Sequence, residues 1–215
     1  ARVVGARDPL AKQTMQNLGV VTPVTVTADW AFELEGTPPP GIGEELDALK
    51  ALARPVLIGI NLRDEKAGGP ERETRQHSAY RSKLIATFSE LLQTTSATIC
   101  VVSMTRSAKT ADQAFALSIK QSLPVTWEQR FVVLTQTLSP KEIKGVIAQM
   151  DVFASTRLHP TIFAISESVP TLAMHDLLKV RGVMQHCGLE EYFGPLEPAT
   201  PEQLVSSILN VLSAR

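Results

Sequence analysis

The stretch "MDVFASTRLHPTIFAISESVPTLAMHD", Met150–Asp176, decides the fold class, because it places two strand patterns around one helix pattern. The runs Val152–Ser155 and Thr171–Met174 are short and apolar, as in strands that are buried on both faces. Two strands that are joined through a helix pair in parallel. Arg157 and His159 stand where the first strand passes into this helix, and what they do depends on the rest of the chain.

Strand and helix patterns also alternate along the remaining sequence. The other strand candidates are Val3–Val4, Val24–Thr27, Val56–Leu62, Thr98–Ser103 and Phe131–Leu134. The helix candidates carry single apolar stripes, on Leu84, Ile85, Phe88, Leu91 and Leu92, on Ile143, Val146, Ile147 and Met150, and on Leu204, Val205, Ile208, Leu209 and Leu212. One helix has a clear start signal, with Ser139 as N-cap, Pro140 in the first turn and Glu142 completing a capping box. The sequence therefore predicts an α/β fold with a Rossmann-like parallel sheet and helices on both faces.

Composition and charge exclude several classes of protein. Hydrophobic residues make up 44% of the 215-residue chain and charged residues 20%, as in a soluble globular protein. The net charge of −1 gives no concentrated basic surface for nucleic acid. No apolar run reaches the roughly 18 to 20 residues that span a bilayer, so a cytoplasmic location is expected. Cys100 and Cys187 are too few for a disulfide framework or a zinc site, and both are predicted to be core residues.

A break at "LEGTPPPGIGEE", Leu34–Glu45, divides the chain. Three consecutive prolines between glycines cannot lie in a helix or a central strand, so this stretch is a stiff linker or a surface loop. About five βα units follow from Ile42 onward, and we expect them to fold independently. The chain starts without methionine and enters a strand at once, which indicates a piece of a longer protein or a trimmed leader.

Two loops at the carboxyl ends of predicted strands carry the candidate site residues. Ligands bind at this edge of open parallel sheets, because loops and helix N-termini meet there. The first loop lies in "GINLRDEKAGGPERETRQHS" and starts with Asn61 and Arg63, although a solvated loop without function explains it equally well. The second loop holds Arg157 and His159, and Pro160 suits the first turn of the helix that follows.

The second loop has the residue types of an anion site with a proton donor. A helix N-terminus attracts anions, and arginine adds a planar fork that binds carboxylate or phosphate through two hydrogen bonds. Histidine is suited to proton transfer near neutral pH. A structural role, in which His159 caps the helix and Arg157 forms a surface ion pair, fits the spacing equally well.

Six segments carry a resemblance to a known family. In chain order they are "ARDPLAKQTMQNLGV" (Ala6–Val20), "VTVTADWAF" (Val24–Phe32), "VLIGINLR" (Val56–Arg63), "SMTRSAKTADQAFA" (Ser103–Ala116), "LSPKEIKGVIAQMDVFASTRLHPTIFAI" (Leu138–Ile165) and "VPTLAM…KVRGVMQHCGL" (Val169–Leu189). Their order, through almost the whole chain, resembles the polysaccharide pyruvyl transferase family, and the triplet Arg157–His159 is the most specific element. Pro160 replaces the small residue usual in this family. "MHDLLKV" lacks the usual tyrosine before Lys179, which is therefore expected to be a surface lysine.

The resemblance implies a two-lobed enzyme of the glycosyltransferase-B (GT-B) type. Such an enzyme moves pyruvate from phosphoenolpyruvate onto sugar hydroxyls as a ketal, without a metal or an organic cofactor. Residues 1–35 would be the end of a truncated N-terminal lobe, 36–41 a proline-rich linker, and 42–215 the C-terminal Rossmann-like donor-binding domain. The chain alone would then bind the donor weakly or not at all, and would not transfer pyruvate.

The resemblance also implies roles for particular residues. His159 would be the catalytic general acid, and Arg157, Arg63, Asn61 and Arg7 would bind substrate. Arg7 would bind substrate in the interlobe cleft. An ion pair between Arg7 and Asp8, or another structural role, is expected equally. The expected partners are phosphoenolpyruvate and a saccharide or lipid-linked saccharide, with peripheral contact at the inner face of the membrane left open.

Two other functions remain compatible with the sequence. A nucleotide-sugar glycosyltransferase of the same architecture would use an acidic residue near the last βα units to bind ribose hydroxyls, and Glu167 or Glu190 are candidates. A non-catalytic Rossmann-like binding module would use Arg157 and His159 only for capping and pairing.

Overall fold

The structure is a computed structural model that describes residues 2–53, 56–64, 70–104, 111–175, 177–194 and 196–214, with side chains for all of these except 49–53, 70–76 and 111. Its strands are β1 Val4–Ala6, β2 Val24–Val26, β3 Leu57–Asn61, β4 Thr98–Val101, β5 Phe131–Val133, β6 Val152–Ser155 and β7 Thr171–Ala173. Its α-helices are α1 Pro9–Asn17, α2 Ile42–Ala53, α3 Pro70–Thr94, α4 Ala111–Lys120, α5 Pro140–Ile147, α6 Leu158–Ser166, α7 Leu178–His186 and α8 Pro201–Ser213. Short 3-10 helices lie at Trp30–Glu33, Val125–Arg130 and Glu190–Tyr192.

The main sheet of the described residues has five parallel strands in the order β5-β4-β3-β6-β7. A helix lies in each connection between consecutive strands, from α3 to α6. The predicted Rossmann-like α/β fold is therefore confirmed. Most strands end one or two residues earlier than the sequence predicts, and the largest difference is in β4, which ends at Val101 and not at Ser103.

Helices cover both faces of the main sheet, because side chains alternate across each buried strand. On β3, Ile58 and Ile60 belong to one apolar cluster and Leu57 to another. The first cluster includes side chains of α3, α4 and α8, and the second includes side chains of α2, α5 and α6. A third cluster joins α6 to α7. The predicted capping box also forms, since Ser139 Oγ accepts from Glu142 N at 3.3 Å and Glu142 Oε2 accepts from Ser139 N at 2.7 Å.

The two cysteines differ in environment. Cys100 is buried in the second cluster, as predicted, and burial raises the pKa of its thiol to about 12. Cys187 is half-buried and packs against the third cluster, and its pKa is raised by the same cause.

The N-terminal segment forms a separate two-stranded parallel sheet, β1 with β2, that packs on the larger unit through α1 and α7. Asp8 caps α1 by accepting a hydrogen bond from Ala11 N at 2.8 Å. It also lies so close to Gly182 that an added Cβ there would be 2.4 Å from Asp8 Oδ1. The proline-rich stretch runs over α5 in the same manner, where a Cβ on Gly145 would be 2.2 Å from Pro38 N. The division into 1–35, 36–41 and 42–215 stays a prediction, although these contacts show that the parts touch.

No helix in the described part of the chain has the length and apolar character that crossing a bilayer requires.

Candidate active site

The carboxyl edge of the main sheet has a crevice between β3 and β6. After β3 the chain builds β4 and β5 on one side, and it then returns to place β6 and β7 on the other. Such a reversal is the position at which open α/β sheets bind ligands, because the loops on either side diverge. The two strand ends are joined by Thr156, whose backbone N–H and hydroxyl donate to Asn61 O at 3.1 and 3.3 Å.

A cavity of about 260 Å³ opens at this edge and is lined by arginine, lysine and histidine side chains. Arg63 comes from the end of β3, Arg157 and His159 from the start of α6, and Lys179 from the start of α7. The other described residues of the wall are Met104, Thr156, Leu158, Pro160 and Leu177. Because none of these described wall residues is acidic, the cavity favours an anionic ligand.

Arg157 is held firmly at the start of α6. It is the N-cap residue, with extended backbone dihedral angles. Its carbonyl accepts from Ser155 Oγ at 2.9 Å and from Thr161 Oγ1 at 2.8 Å, and its N–H donates to Ser155 Oγ at 3.1 Å. Ser155 and Thr161 are fully buried, so this turn has little freedom.

Asp112 fixes the guanidinium of Arg157 and the loop that carries Arg63. Arg157 Nη2 donates to Asp112 Oδ2 at 2.5 Å, and Asp64 N donates to Asp112 Oδ1 at 3.0 Å. Asp112 is only 4% exposed and lies in the first turn of α4. One buried carboxylate therefore sets the positions of two predicted anion-binding residues. The sequence pattern did not identify Asp112 as a site residue, although an acidic residue in the first turn of a helix after a buried strand is a usable signal.

His159 lies inside α6, two positions beyond the N-cap, whereas the sequence predicts it in the loop at or just before the helix. It is the second residue of α6 and is exposed in the cavity wall, whereas the proline after it favours an extended conformation. A proline in the first helical turn removes no internal hydrogen bond, so the helix starts before it. The capping role is not seen in the structure, because the cap position belongs to Arg157.

The structure places Asn61 and Arg7 outside this cavity wall. Asn61 is fully buried, and its Nδ2 donates to Val102 O at 2.7 Å, which connects β3 with the end of β4. Arg7 pairs with Asp8 at 3.1 Å, and this ion pair was one of the two roles expected for it. Its side chain lines a different cavity, with Asp29 and Trp30. Substrate binding by Asn61 and Arg7 stays a prediction.

Of the remaining candidate residues, one lines the cavity and two do not. Lys179, expected to be a plain surface lysine, is exposed but lines the cavity. Glu167 follows the last turn of α6 and pairs with Lys144 at 3.5 Å, and Glu190 follows α7, so neither borders the cavity. Residues 65–69 of the first loop and residues 105–110 of the Ser103–Ala116 segment lie outside the described residues. Within the described residues, no cluster of histidine, cysteine or acidic side chains could hold a metal ion.

The fold and the cavity define a class of protein. The described residues form a Rossmann-like unit whose cationic crevice lies at the switch point of the sheet, and solved GT-B-like enzymes have the same fold. The sequence model for polysaccharide pyruvyl transferase matches residues 1–174. The chain therefore belongs to the polysaccharide pyruvyl transferase family, as the resemblance implied. No curated protein matches the sequence.

Solved structures show the same architecture at low sequence identity. A UDP-GlcNAc 2-epimerase from Methanocaldococcus jannaschii, in complex with UDP-GlcNAc and UDP, has a TM-score of 0.64 and 9% identity over 100% of this chain and 55% of that one. The ADP-heptose heptosyltransferase II of Escherichia coli has a TM-score of 0.54 and 14% identity over 84% of this chain and 54% of that one. The chain spans about half the length of the structures it matches. At these identities the likeness is one of fold alone.

The role of Asp112 as an anchor predicts a specific loss of stability. Asp112→Ala leaves the Asp64 N–H and the Arg157 guanidinium without their acceptor, and we expect the free energy of unfolding to fall by about 1 to 3 kcal/mol. Asp112→Asn keeps an oxygen for the N–H and should lose less. Urea denaturation measures both. Asp47→Ala, at an exposed position on α2, is the matched control, and an equal effect in this variant would contradict the anchor role.

Proposed function

We propose that the protein transfers pyruvate from phosphoenolpyruvate to sugar hydroxyls as a ketal, and that the cavity between β3 and β6 is its donor site. The observation that supports this most directly is the presence of Arg63, Arg157, His159 and Lys179 around one cavity. Membership of the pyruvyl transferase family supports the reaction class.

The donor chemistry matches the charges of this cavity. Phosphoenolpyruvate carries a phosphate and a carboxylate on a three-carbon frame, so its site needs two cationic contacts close together. Arg157 is suited to one of them. Among the described residues Asp112 is the acceptor that its guanidinium reaches, which leaves further N–H groups of the five for a ligand. Arg63, Lys179 and the N-termini of α6 and α7 supply positive charge for the second anionic group.

His159 is placed to act as the general acid in this scheme. It lies on the exposed wall of the cavity, two residues beyond the helix cap at Arg157. A proton from the imidazolium goes to C3 of the enol, which becomes a methyl group, and a sugar hydroxyl bonds to C2. A second hydroxyl of the same sugar then bonds to C2 as the C2–O bond to phosphate breaks. Of the two hydroxyl protons, one replaces the proton that His159 gave, and the other leaves with phosphate.

Other parts of the proposal concern partners and place. The scheme requires no metal or organic cofactor, and the acceptor is a saccharide or a lipid-linked saccharide. The reaction belongs in the cytoplasm, with peripheral contact at the inner face of the membrane for a lipid-linked acceptor. Because holding donor and acceptor together can lower a barrier by about 7 to 11 kcal/mol, we propose that turnover needs a second lobe and that this chain alone does not turn over.

Arg157→Lys tests the donor site through binding. Lysine keeps the charge but loses the planar fork, and hydrogen bonds to charged groups contribute about 1.5 to 3 kcal/mol, so the dissociation constant should rise by roughly tenfold or more. Ligand-observed NMR on the 215-residue chain detects the weak donor binding that we expect of this chain alone. Arg2→Lys, at an exposed position, is the matched control. Phosphoenolpyruvate should give a signal and uridine diphosphate none. Binding of uridine diphosphate alone would favour a nucleotide-sugar enzyme, and binding of neither would favour a non-catalytic module.

His159→Ala tests the proton donor through turnover. Because general acid catalysis contributes about 10²- to 10⁴-fold, phosphate release by the two-lobed enzyme should fall by that factor while donor affinity and folding are kept. His186→Ala, an exposed histidine at the far end of α7, is the control. A variant at His159 that unfolds, or that retains full turnover, would contradict the assignment.

A further inference from the structure

A second cavity, of about 670 Å³, lies at the carboxyl edge of the small β1–β2 sheet. Its walls include Arg7, Asp29, Trp30 and Glu33, with Gly5 and Thr27 beside them. Trp30 is 87% exposed, an unusual state for the side chain with the largest apolar surface. Single exposed apolar residues are common and carry no meaning alone, so the surroundings of this indole decide whether it binds a ligand.

The segment that carries Trp30 is held in place on three sides. Asp29 caps the 3-10 helix Trp30–Glu33 by accepting from Ala31 N at 3.0 Å. Phe32 packs against the third apolar cluster, and its carbonyl accepts from the buried Lys144 Nζ at 3.1 Å. The exposed indole is therefore presented by a fixed backbone, and a ligand that stacks on it need not order this segment.

The charges of this cavity differ from those of the donor cavity. Arg7 is already engaged by Asp8 at 3.1 Å and lies 3.8 Å from Asp29, and Glu33 adds a second carboxylate to the wall. One guanidinium against two carboxylates disfavours a phosphate or carboxylate ligand. Carboxylate acceptors and guanidinium donors do suit the hydroxyl groups of a neutral sugar, and the apolar C–H face of a pyranose ring stacks on an indole.

This second cavity is linked by packing contacts to the helix that carries His159, the proposed general acid. The 3-10 helix with Trp30 contacts α6, the helix whose first turn carries His159. Ala31, the neighbour of Trp30, packs against the same apolar cluster that contains Leu158, the neighbour of His159. The segments that carry Trp30 and His159 therefore share one layer of packed apolar side chains, although the two cavities differ in charge.

We propose that the cavity of Arg7, Trp30 and Glu33 is a subsite for a neutral pyranoside, with the sugar ring stacked on the indole and its hydroxyls bound by Arg7 and Glu33. This inference rests on the proposed function, for which it supplies the acceptor side. A diol of the bound sugar is the chemical group that the ketal reaction consumes.

Binding of methyl β-galactopyranoside and methyl α-mannopyranoside to the 215-residue chain tests this subsite. Saturation-transfer NMR measures the affinity, and iodide quenching of tryptophan fluorescence reports access to Trp30, because the other tryptophan, Trp127, is partly buried. At least one neutral glycoside should bind and protect the fluorescence from iodide. Galacturonate, which adds a carboxylate, should bind at least tenfold more weakly than the galactoside.

Variants separate stacking from general exposure. Trp30→Ala should raise the glycoside dissociation constant at least tenfold, and Trp30→Phe, which keeps an aromatic face, should restore most of the affinity. Val125→Ala, at an 83% exposed position on another 3-10 helix, is the matched control and should change nothing. Unchanged affinity in Trp30→Ala, or equal binding of galacturonate, would overturn the subsite.

The same samples separate this inference from the proposed function. Phosphoenolpyruvate binding should be the same in Trp30→Ala as in the unaltered chain, because Trp30 does not line the donor cavity. Glycoside binding without phosphoenolpyruvate binding would overturn the donor site and keep the subsite. Phosphoenolpyruvate binding without glycoside binding would overturn the subsite and keep the donor site.

Discussion

The close parallel pairing of β3 with β6 is the constraint on which the rest of the site depends. Their register runs from Ile58 opposite Val152 to Asn61 opposite Ser155, so both strands end at the same level. Gly59 makes this packing possible, since a Cβ there would be 2.4 Å from Phe153 Cδ2. Because the two strands end together, the loops with Arg63 and Arg157 leave the sheet side by side.

The electrostatics of the cavity between β3 and β6 follow from this arrangement. Positive side chains from the end of β3 and the starts of α6 and α7 converge where helix N-termini already favour anions. One carboxylate, that of Asp112, holds Arg157 in place on the side away from the cavity wall. Asp112 is almost fully buried, whereas the Arg157 side chain is 31% exposed, although its Nε atom is buried. An ion pair of this kind orients the arginine toward the cavity instead of neutralising it from the ligand side.

Much of the fold follows from local sequence. The stretch from Met150 to Asp176 has strand, helix and strand in so few residues that only a parallel unit fits it, and the structure confirms this. The cavity position of Arg157 and His159 was also predictable, because Pro160 marks a helix start at the end of a buried strand. The shared cavity of these residues with Arg63 follows once β3 and β6 are neighbours.

The parts that the sequence could not predict depend on distant contacts. Asp112 reaches Arg157 across 45 positions in the chain, and its place in the first turn of α4 does not reveal that Arg157 is its partner. The alternation of side chains along β3 and the hydrogen bond from Asn61 Nδ2 to Val102 O turn the Asn61 side chain into the sheet. The position of Asn61 at the start of the loop does not reveal this orientation. Lys144 is buried because the carbonyl of Phe32 and the carboxylate of Glu167 lie over α5, and the amphipathic pattern of that helix gives no sign of them.

A crystal structure of the chain soaked with phosphoenolpyruvate tests the proposed donor site most directly. We expect one ligand in the crevice between β3 and β6, with an anionic group within hydrogen-bond distance of the Arg157 guanidinium and the enol carbon facing His159. A ligand bound at another edge of the sheet, or in the crevice with both anionic groups turned away from Arg157, would contradict the proposed donor site.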